Sequence, residues 1–276
     1  MQDLLDKFNL ETNSNILLIF DVDGTLRPDT VEALDHRYPK VDPNVAQELM
    51  NLNTLDNVTV LILTARSPID LYRSNLPKNI RKYCSFGKQV MEGEILRYTR
   101  DDFAEADKEI AVFIEILKDI MGPKLIAGLD FLATPGDFAI YFESPDFTEQ
   151  KKKVSKVLNT ILENSKRWQI LDFGRELIIK DAKYPYTKGD AIFDILNLVN
   201  LSELHQVFFF GDSNDDYKAM EALREYQKIY PQKRIKVNNV CVGEALKGKD
   251  LVDFEFESYK DTISFVSTLY AKYINE

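Results

Sequence analysis

The sequence has little of what marks secreted or membrane-spanning proteins. It contains only two cysteines, Cys84 and Cys241, which lie far apart and form no Cys-x-x-Cys pair. This usage favours two reduced, partly buried thiols over a disulfide framework. No apolar run is long enough to span a bilayer, and the first residues lack the basic and long apolar regions of a signal peptide. We therefore expect a cytoplasmic protein with no membrane partner.

Positive charge is also scarce in this chain. It has 35 lysines and arginines against 45 aspartates and glutamates, a formal net charge of −10. The only basic run, residues 151–153, follows Glu149 in a helical pattern and is typical of a solvated helix face. We therefore expect no nucleic-acid partner. The 276 residues, 45% of them hydrophobic, suffice for one large domain or two unequal ones.

Three apolar, strand-like runs each end in a polar residue capable of chemistry. The runs are residues 16–20, 58–63 and 207–210. A helix predicted over 44–53 separates the first two, and this order favours a parallel sheet covered on both faces. Ligands of such sheets bind outside the carboxyl ends of the strands. We therefore expect Asp21, Thr64 and Asp212 to meet in one crevice.

The middle of the chain reads as an inserted module between the second and third of these strands. Its predicted elements are a short β segment over 89–98, a helix over 102–120, a strand over 138–142, a helix over 148–164, and strands over 168–171 and 177–180. The predicted fold is α/β: a doubly wound parallel-sheet core, residues 1–86 and 185–276, with a smaller α/β domain inserted at 87–184. An insert of this kind can act as a lid that excludes water and selects substrate.

Two aspartates, Asp21 and Asp23, stand at the end of the first buried strand. Burying a carboxylate pair is costly unless a cation, usually a metal, compensates it. Asp21 could attack an electrophile while Asp23 donates or accepts a proton, provided that Mg²⁺ neutralises the attacking oxygen and a phosphate. An ordinary Asp-Gly hairpin is disfavoured, since no matched strand follows closely.

Further oxygen ligands for Mg²⁺ are available after the third strand. Asp212 is the first candidate, because Mg²⁺ prefers hard oxygen donors. Asp216, Asp215 and Asn214 compete for the second position, and the sequence leaves that choice open.

Two residues could hold a phosphate. Thr64 offers a hydroxyl and a nearby backbone N–H, although a β-branched residue at a strand end needs no function. Lys188 lies where a helix begins, with Thr187 as its cap, and there it opposes the helix dipole. This unfavourable placement indicates a task such as clamping phosphate. An exposed surface charge is the alternative, and Lys180 or Lys183 could take the role instead.

These residues together resemble the four motifs of the haloacid dehalogenase-like hydrolase superfamily. The matching segments are Asp-Val-Asp-Gly-Thr at 21–25, the strand ending in Thr64, Lys188 before a helix, and Gly-Asp-Ser-Asn-Asp-Asp at 211–216. The resemblance implies a Rossmann-like core, Mg²⁺ and an aspartyl-phosphate intermediate. It makes Asp21 the nucleophile and a metal ligand. It makes Asp23 the general acid/base, binding Mg²⁺ through its backbone carbonyl. Thr64 and Lys188 would hold the phosphate, and Asp212 with Asp216 would complete the metal site.

The position of the insert resembles the α/β cap of the subfamily that contains trehalose-6-phosphate and sucrose phosphatases. Residues 64–66, Thr-Ala-Arg, stand where the trehalose-6-phosphate phosphatases have Ser-Gly-Arg. An ungapped alignment places Leu132, Thr134 and Glu143 where their caps carry a Glu-x-Lys pair and an Arg. Arg66, Glu143 and Arg175 are the candidate substrate-binding residues.

The resemblance implies a Mg²⁺-dependent phosphatase for a small phosphorylated metabolite, with a sugar phosphate as the favoured substrate. Two alternatives stand beside it. A phosphomutase uses the same nucleophile but returns the phosphoryl group to its substrate. A catalytically silent binding or regulatory protein could share the scaffold, although the intact Asp21 and Asp23 speak against it.

Overall fold

Two β-sheets organise the chain, one in each of two compact units of a computed structural model. The structure describes residue 8 and residues 14–28, 40–144, 146–162, 165–172, 174–198 and 204–275. The first unit contains the described residues up to Arg97 and those from Tyr186, and the second contains Tyr98 to Pro185.

The elements follow one another along the chain with short connections. The strands are β1 (Asn15–Phe20), β2 (Val58–Leu63), β3 (Arg81–Cys84), β4 (Gln89–Glu92), β5 (Ile95–Tyr98), β6 (Leu129–Thr134), β7 (Asp137–Phe142), β8 (Trp168–Asp172), β9 (Glu176–Asp181), β10 (Leu204–Gly211), β11 (Lys236–Val242) and β12 (Phe254–Phe256). The helices are α1 (Pro43–Leu52), α2 (Pro68–Tyr72), α3 (Asp101–Met121), α4 (Pro123–Ile126), α5 (Thr148–Leu162), α6 (Lys188–Leu198), α7 (Asn214–Ile229) and α8 (Tyr259–Asn275).

The large sheet has the strand order β12-β11-β10-β1-β2-β3-β4-β5. Every pairing from β12 to β3 is parallel, whereas β3 and β4 are antiparallel. The three apolar runs that the sequence singled out are the central strands β10, β1 and β2. The predicted α/β fold class, a parallel-sheet core with a second α/β unit inserted, is confirmed.

Apolar side chains explain why these strands lie at the centre. Residues 16–20 of β1 are all buried, and a strand buried on both faces needs this unbroken apolar run. Phe20 of β1 stacks on Phe210 of β10 at 4.6 Å between ring centroids. Each such buried ring contributes on the order of 1.5–3 kcal/mol. The apolar run therefore determines which strand precedes the acidic loop.

The helix predicted between β1 and β2 is present as α1. The Asp42 side chain accepts a hydrogen bond of 2.8 Å from the Asn44 N–H, and Pro43 occupies the first turn. Both features are typical of a helix start. Val45 and Leu49 are buried against the large sheet's core.

The second unit has the antiparallel sheet β6-β7-β9-β8. Helices α3 and α5 pack on one of its faces through apolar side chains such as Ile110, Ile114, Val154 and Leu158. Strand β6 was not predicted, because its sequence mixes Asp130 and Thr134 with apolar residues and every position is only half-buried.

We expected residues 89–98 to be the first β segment of the inserted module, but they do not belong to it. They form β4 and β5 of the large sheet. Ser85, Phe86 and Gly87 all have positive φ, so the chain reverses there and β4 returns alongside β3. Because Ser85 and Phe86 are not glycines, this reversal leaves little trace in the sequence.

Among the described residues, no helix combines the length and apolar character that a membrane span requires.

Candidate active site

Three neighbouring strand ends bring the expected residues together at one edge of the large sheet. Phe20 of β1 pairs with Phe210 of β10 on one side and with Ile62 of β2 on the other. The Asp21 N–H donates to the Phe210 carbonyl at 3.0 Å. Because the strands are parallel and in this register, Asp21, Thr64 and Asp212 lie at the same carboxyl edge.

A tight loop after β1 packs against Asp212. Gly24 in this loop has φ +71, and a Cβ there would lie 2.0 Å from a carboxylate oxygen of Asp212. No other residue type fits so close to that carboxylate, and glycine also adopts this φ without strain. The Asp-Gly step of the first motif therefore has a steric cause.

Lys188 is buried between two aspartates. It is the first residue of α6, and its Nζ donates to Asp21 Oδ1 at 2.7 Å and to Asp216 Oδ1 at 2.6 Å. Burial alone would lower the pKa of Lys188, but Asp21 and Asp216 raise it above its ordinary value. The lysine is therefore a permanent cation beside the proposed nucleophile.

Asp216 serves both this cluster and the start of α7. Its Oδ2 accepts hydrogen bonds from the Ser213 hydroxyl at 2.6 Å and from the N–H groups of Ser213 and Asp212. With Ser213 as N-cap this is a capping box. The two competitors point elsewhere: Asn214 accepts from Lys249, and Asp215 faces Lys218 at 3.6 Å.

A cluster of three carboxylates fits a divalent cation. Asp21, Asp212 and Asp216 each offer one oxygen, and these oxygens lie within 4.8 Å of one another. Burial raises the pKa of Asp21 well above its ordinary value, Lys188 lowers it, and the neighbouring carboxylates Asp216, Asp212 and Asp23 raise it further. One lysine therefore does not balance the local negative charge. Hard oxygen donors in this number suit Mg²⁺.

Two arginines face the carboxylate of Asp23. Arg66 Nε donates to Asp23 Oδ2 at 2.7 Å, and Arg66 Nη2 donates to Oδ1 at 2.9 Å. Arg27 Nε lies 3.6 Å from Oδ1. The sequence suggested Arg66 as a substrate ligand, and that role stays a prediction beside the observed contact with Asp23. Arg27 was missed, although its position four residues after Asp23 could have indicated the pairing.

Thr64 is buried beside Arg66. Its Oγ1 accepts a hydrogen bond of 3.2 Å from the Arg66 N–H. Its own N–H donates to the Tyr83 carbonyl of β3 at 2.9 Å. The hydroxyl, rather than the backbone N–H of Thr64, is therefore the group that can face a phosphate.

The other candidate substrate residues, Glu143 and Arg175, lie in the second unit. Arg175 Nη1 donates to the Ser144 carbonyl at 3.1 Å, and its guanidinium lies 4.8 Å from the centre of the Phe147 ring. The Glu143 N–H donates to the Gly128 carbonyl. These contacts of Arg175 lie within its own unit.

Leu132 and Thr134 lie on the sheet face of the second unit opposite its helices. Leu132 pairs with Ala139, and Ala139 pairs with Ile178. Because side chains alternate along strands, these three form one apolar row on that face. The Thr134 hydroxyl donates a hydrogen bond of 3.1 Å to the Asp137 carbonyl.

The sheet order, the carboxylate-bearing edge and the inserted second unit define a haloacid dehalogenase-like fold. Comparison with solved structures shows that proteins described as trehalose-6-phosphate phosphatases have a similar fold. A structure described as a trehalose-6-phosphate phosphatase related protein matches with a TM-score of 0.64 and 17% identity, over 94% of this chain and 99% of its own. The C-terminal domain of C. albicans trehalose-6-phosphate phosphatase matches with a TM-score of 0.66 and 16% identity, over 98% and 96%.

A third similar structure is the C-terminal domain of the Candida albicans trehalose synthase regulatory protein. It matches with a TM-score of 0.60 and 14% identity, over 96% of this chain and 97% of its own. No protein-family model and no curated protein sequence matches the chain. At these identities the likeness establishes the fold, so the chemistry has to be argued from the site itself.

Proposed function

We propose that the protein is a Mg²⁺-dependent phosphatase, a phosphoric monoester hydrolase that acts on a small phosphorylated metabolite. The observation that carries this proposal is the buried cluster of Asp21, Lys188 and Asp216 beside Asp212. A carboxylate nucleophile, a fixed cation and a set of hard oxygen donors are together what phosphoryl transfer to an aspartate needs.

Asp21 and Asp23 divide the chemistry between them. A carboxylate oxygen of Asp21 forms a bond to phosphorus, and the bond from phosphorus to the leaving oxygen breaks. Asp23 gives a proton to that oxygen, so the alcohol departs neutral. Asp23 then takes a proton from a water molecule, whose oxygen forms a bond to phosphorus. The bond between phosphorus and the Asp21 oxygen breaks, which releases inorganic phosphate and restores Asp21.

The metal would be held by carboxylate oxygens of Asp21 and Asp212, with Asp216 and the backbone carbonyl of Asp23 completing the set. When bound, Mg²⁺ neutralises charge on the phosphoryl oxygens and on the attacking carboxylate. Lys188 and the Thr64 hydroxyl supply the remaining positive and hydrogen-bonding groups for the phosphate. Asp216 positions Lys188 as well, because its Oδ1 accepts the second hydrogen bond of that lysine.

The second unit, Tyr98 to Pro185, would act as the cap that selects the substrate. We propose a sugar phosphate as the substrate class. The apolar row Leu132, Ala139 and Ile178 offers no partner for sugar hydroxyls, and unpaired hydroxyls are heavily penalised in a site built for hydrogen bonding. A phosphorylated monosaccharide, with fewer hydroxyls to satisfy than a disaccharide, is therefore the first compound to test.

A panel of sugar, polyol and nucleotide phosphates tests this proposal through phosphate release with Mg²⁺ and with a chelator. Metal-dependent release from one sugar phosphate, well above the others, is the expected result. An isomerised sugar phosphate in excess of free phosphate would instead indicate a phosphomutase. No metal-dependent release from any compound, nor from p-nitrophenyl phosphate, would favour the binding or regulatory alternative.

A further inference from the structure

A second cavity lies in the first unit, away from the carboxylate cluster. Its volume is about 380 Å³, within the range of small-molecule sites. It is bordered by the final turns of α6 and α7 and by residues of β10 and β11, including Val207 and Val237. Asp212 lies five residues beyond Val207, so the two sites are separated by roughly 16 Å along the strand. The cavity is therefore distinct from the proposed active site.

The walls of this cavity are apolar and aromatic. The apolar side chains that line it are Leu196, Val207, Leu223, Ile235 and Val237. Tyr226 and Tyr230 also line it, with their ring centroids 4.6 Å apart. The remaining lining residues are Gln227, Pro231, Arg234 and Lys236. Such walls favour a ligand with a hydrocarbon or aromatic body.

Tyr226 has a hydroxyl without a hydrogen-bond partner among the residues that the structure describes. The residue is only 4% exposed. The ring is buried, while the hydroxyl oxygen is not closed off from solvent, so it is available as a hydrogen-bond donor in the cavity. A bound molecule with an acceptor group would satisfy it.

Arg234 supplies a cation at the same place. It connects the turn at Pro231–Lys233 to β11 in a left-handed conformation, φ 53 and ψ 27, which is uncommon for a residue with a long side chain. The side chain is exposed, and within the described ranges its guanidinium has no partner. Lys236, the other cation in the lining, donates to the Phe8 carbonyl at 2.9 Å. The described lining contains no carboxylate, although the chain as a whole carries a net charge of −10.

We propose that this cavity binds a small carboxylic acid with an apolar, preferably aromatic, body. The body occupies the space beside Leu223 and Tyr226, and the carboxylate pairs with the Arg234 guanidinium. The Tyr226 hydroxyl donates to an oxygen of the same ligand. An apolar cation finds no counter-charge in the described lining, and a neutral ligand leaves Arg234 unused.

Titration calorimetry with 1-naphthoate tests the proposal directly. The wild-type protein is expected to bind one equivalent saturably, and the neutral analogue 1-naphthalenemethanol about tenfold more weakly, since one hydrogen bond between charged groups is lost. Arg234→Asn should weaken naphthoate binding to a similar extent. Asparagine tolerates the left-handed conformation, so circular dichroism should show an intact fold.

The matched control is Lys233→Asn, which removes the same charge from the neighbouring exposed residue outside the cavity lining. It should bind naphthoate as the wild type does. Tyr226→Phe, which keeps the ring and removes only the hydroxyl, should weaken binding several-fold. Absence of saturable binding to the wild type, or equal affinities of Arg234→Asn and Lys233→Asn, would overturn the proposal. Neither result bears on the phosphatase chemistry, because binding is measured without turnover.

Discussion

Arg66 holds both carboxylate oxygens of Asp23, with Nε 2.7 Å from Oδ2 and Nη2 2.9 Å from Oδ1. A bidentate pair of this kind constrains the orientation of the carboxylate as well as its position. From this pairing we propose that Arg66 positions the proposed general acid/base.

Replacing Arg66 should impair the proton transfer more than the phosphoryl transfer. Arg66→Lys keeps the charge but loses the two-pronged geometry. We expect kcat/KM, which reports the steps up to phosphoryl transfer, to fall by about 10–100-fold with an alkyl phosphate, whose leaving oxygen needs a proton. With p-nitrophenyl phosphate, whose leaving group departs without one, the fall should be much smaller.

Arg97→Lys is the matched control, because Arg97 is exposed and its ion-pair partner within the described part of the chain, Glu92, lies 3.9 Å away. It should leave both rates unchanged. Equal losses for the two substrates in Arg66→Lys would show that Arg66 does not act through Asp23.

The adjacent residues Asp215 and Asp216 allow a matched comparison between the proposed metal site and the surface of α7. Asp216→Asn should raise the Mg²⁺ concentration for half-maximal rate and lower the free energy of unfolding by about 2–3 kcal/mol, since Lys188 loses a buried charged partner. Asp215→Asn should change the free energy of unfolding by less than about 0.5 kcal/mol, because Asp215 pairs with Lys218 at the surface.

Metal titrations of phosphatase rate and urea unfolding curves of the two variants provide the measurement. An unchanged metal dependence in Asp216→Asn would remove Asp216 from the proposed ligand set. A large effect of Asp215→Asn on that dependence would move the second ligand to Asp215.

We expect Lys82 to make the free energy of unfolding of the first unit depend on pH. Its buried ammonium donates to the carbonyls of Pro77 at 2.5 Å and Ile80 at 3.1 Å. Burial lowers the pKa of Lys82 to about 8, and the nearby Cys84 partly offsets this. An unfolded lysine keeps its proton up to the ordinary pKa of 10.5. Between these two values the unfolded chain binds more protons than the folded one, so the free energy of unfolding rises with pH.

Lys82→Met removes the ionisable group, so the difference between wild type and variant gives the part of the pH dependence that Lys82 causes. From pH 8 to pH 10.5 the wild type should gain up to about 3 kcal/mol relative to the variant. Urea unfolding of both proteins at several pH values measures the difference. A constant difference across this window would mean that Lys82 keeps its ordinary pKa in the folded protein.

The sequence identified the strand ends of the site because unbroken apolar runs stop abruptly at Asp21, Thr64 and Asp212. It could not choose among Asn214, Asp215 and Asp216, since that choice depends on where α7 begins. The spacing of Ser213 and Asp216, which forms a capping box, was the signal that could have decided it.

Contacts between residues that lie far apart along the chain could not be predicted from the sequence. Arg66 and Asp23 are 43 residues apart, and nothing local to either residue shows their pairing. The reversal at residues 85–87 and the half-buried strand β6 also lack a periodic pattern. Local patterns therefore predicted the sheet and its acidic edge, while pairing across the edge required the three-dimensional structure.

The role of Asp21 as nucleophile is tested most directly by comparing wild-type protein with Asp21→Asn. The measurement is Mg²⁺-dependent release of phosphate from p-nitrophenyl phosphate, with urea unfolding as a check on the fold. Wild-type protein should turn over, and Asp21→Asn should lose at least about 1,000-fold in kcat, since removing a covalent nucleophile removes the pathway itself. Near wild-type turnover by a folded Asp21→Asn variant would contradict the account.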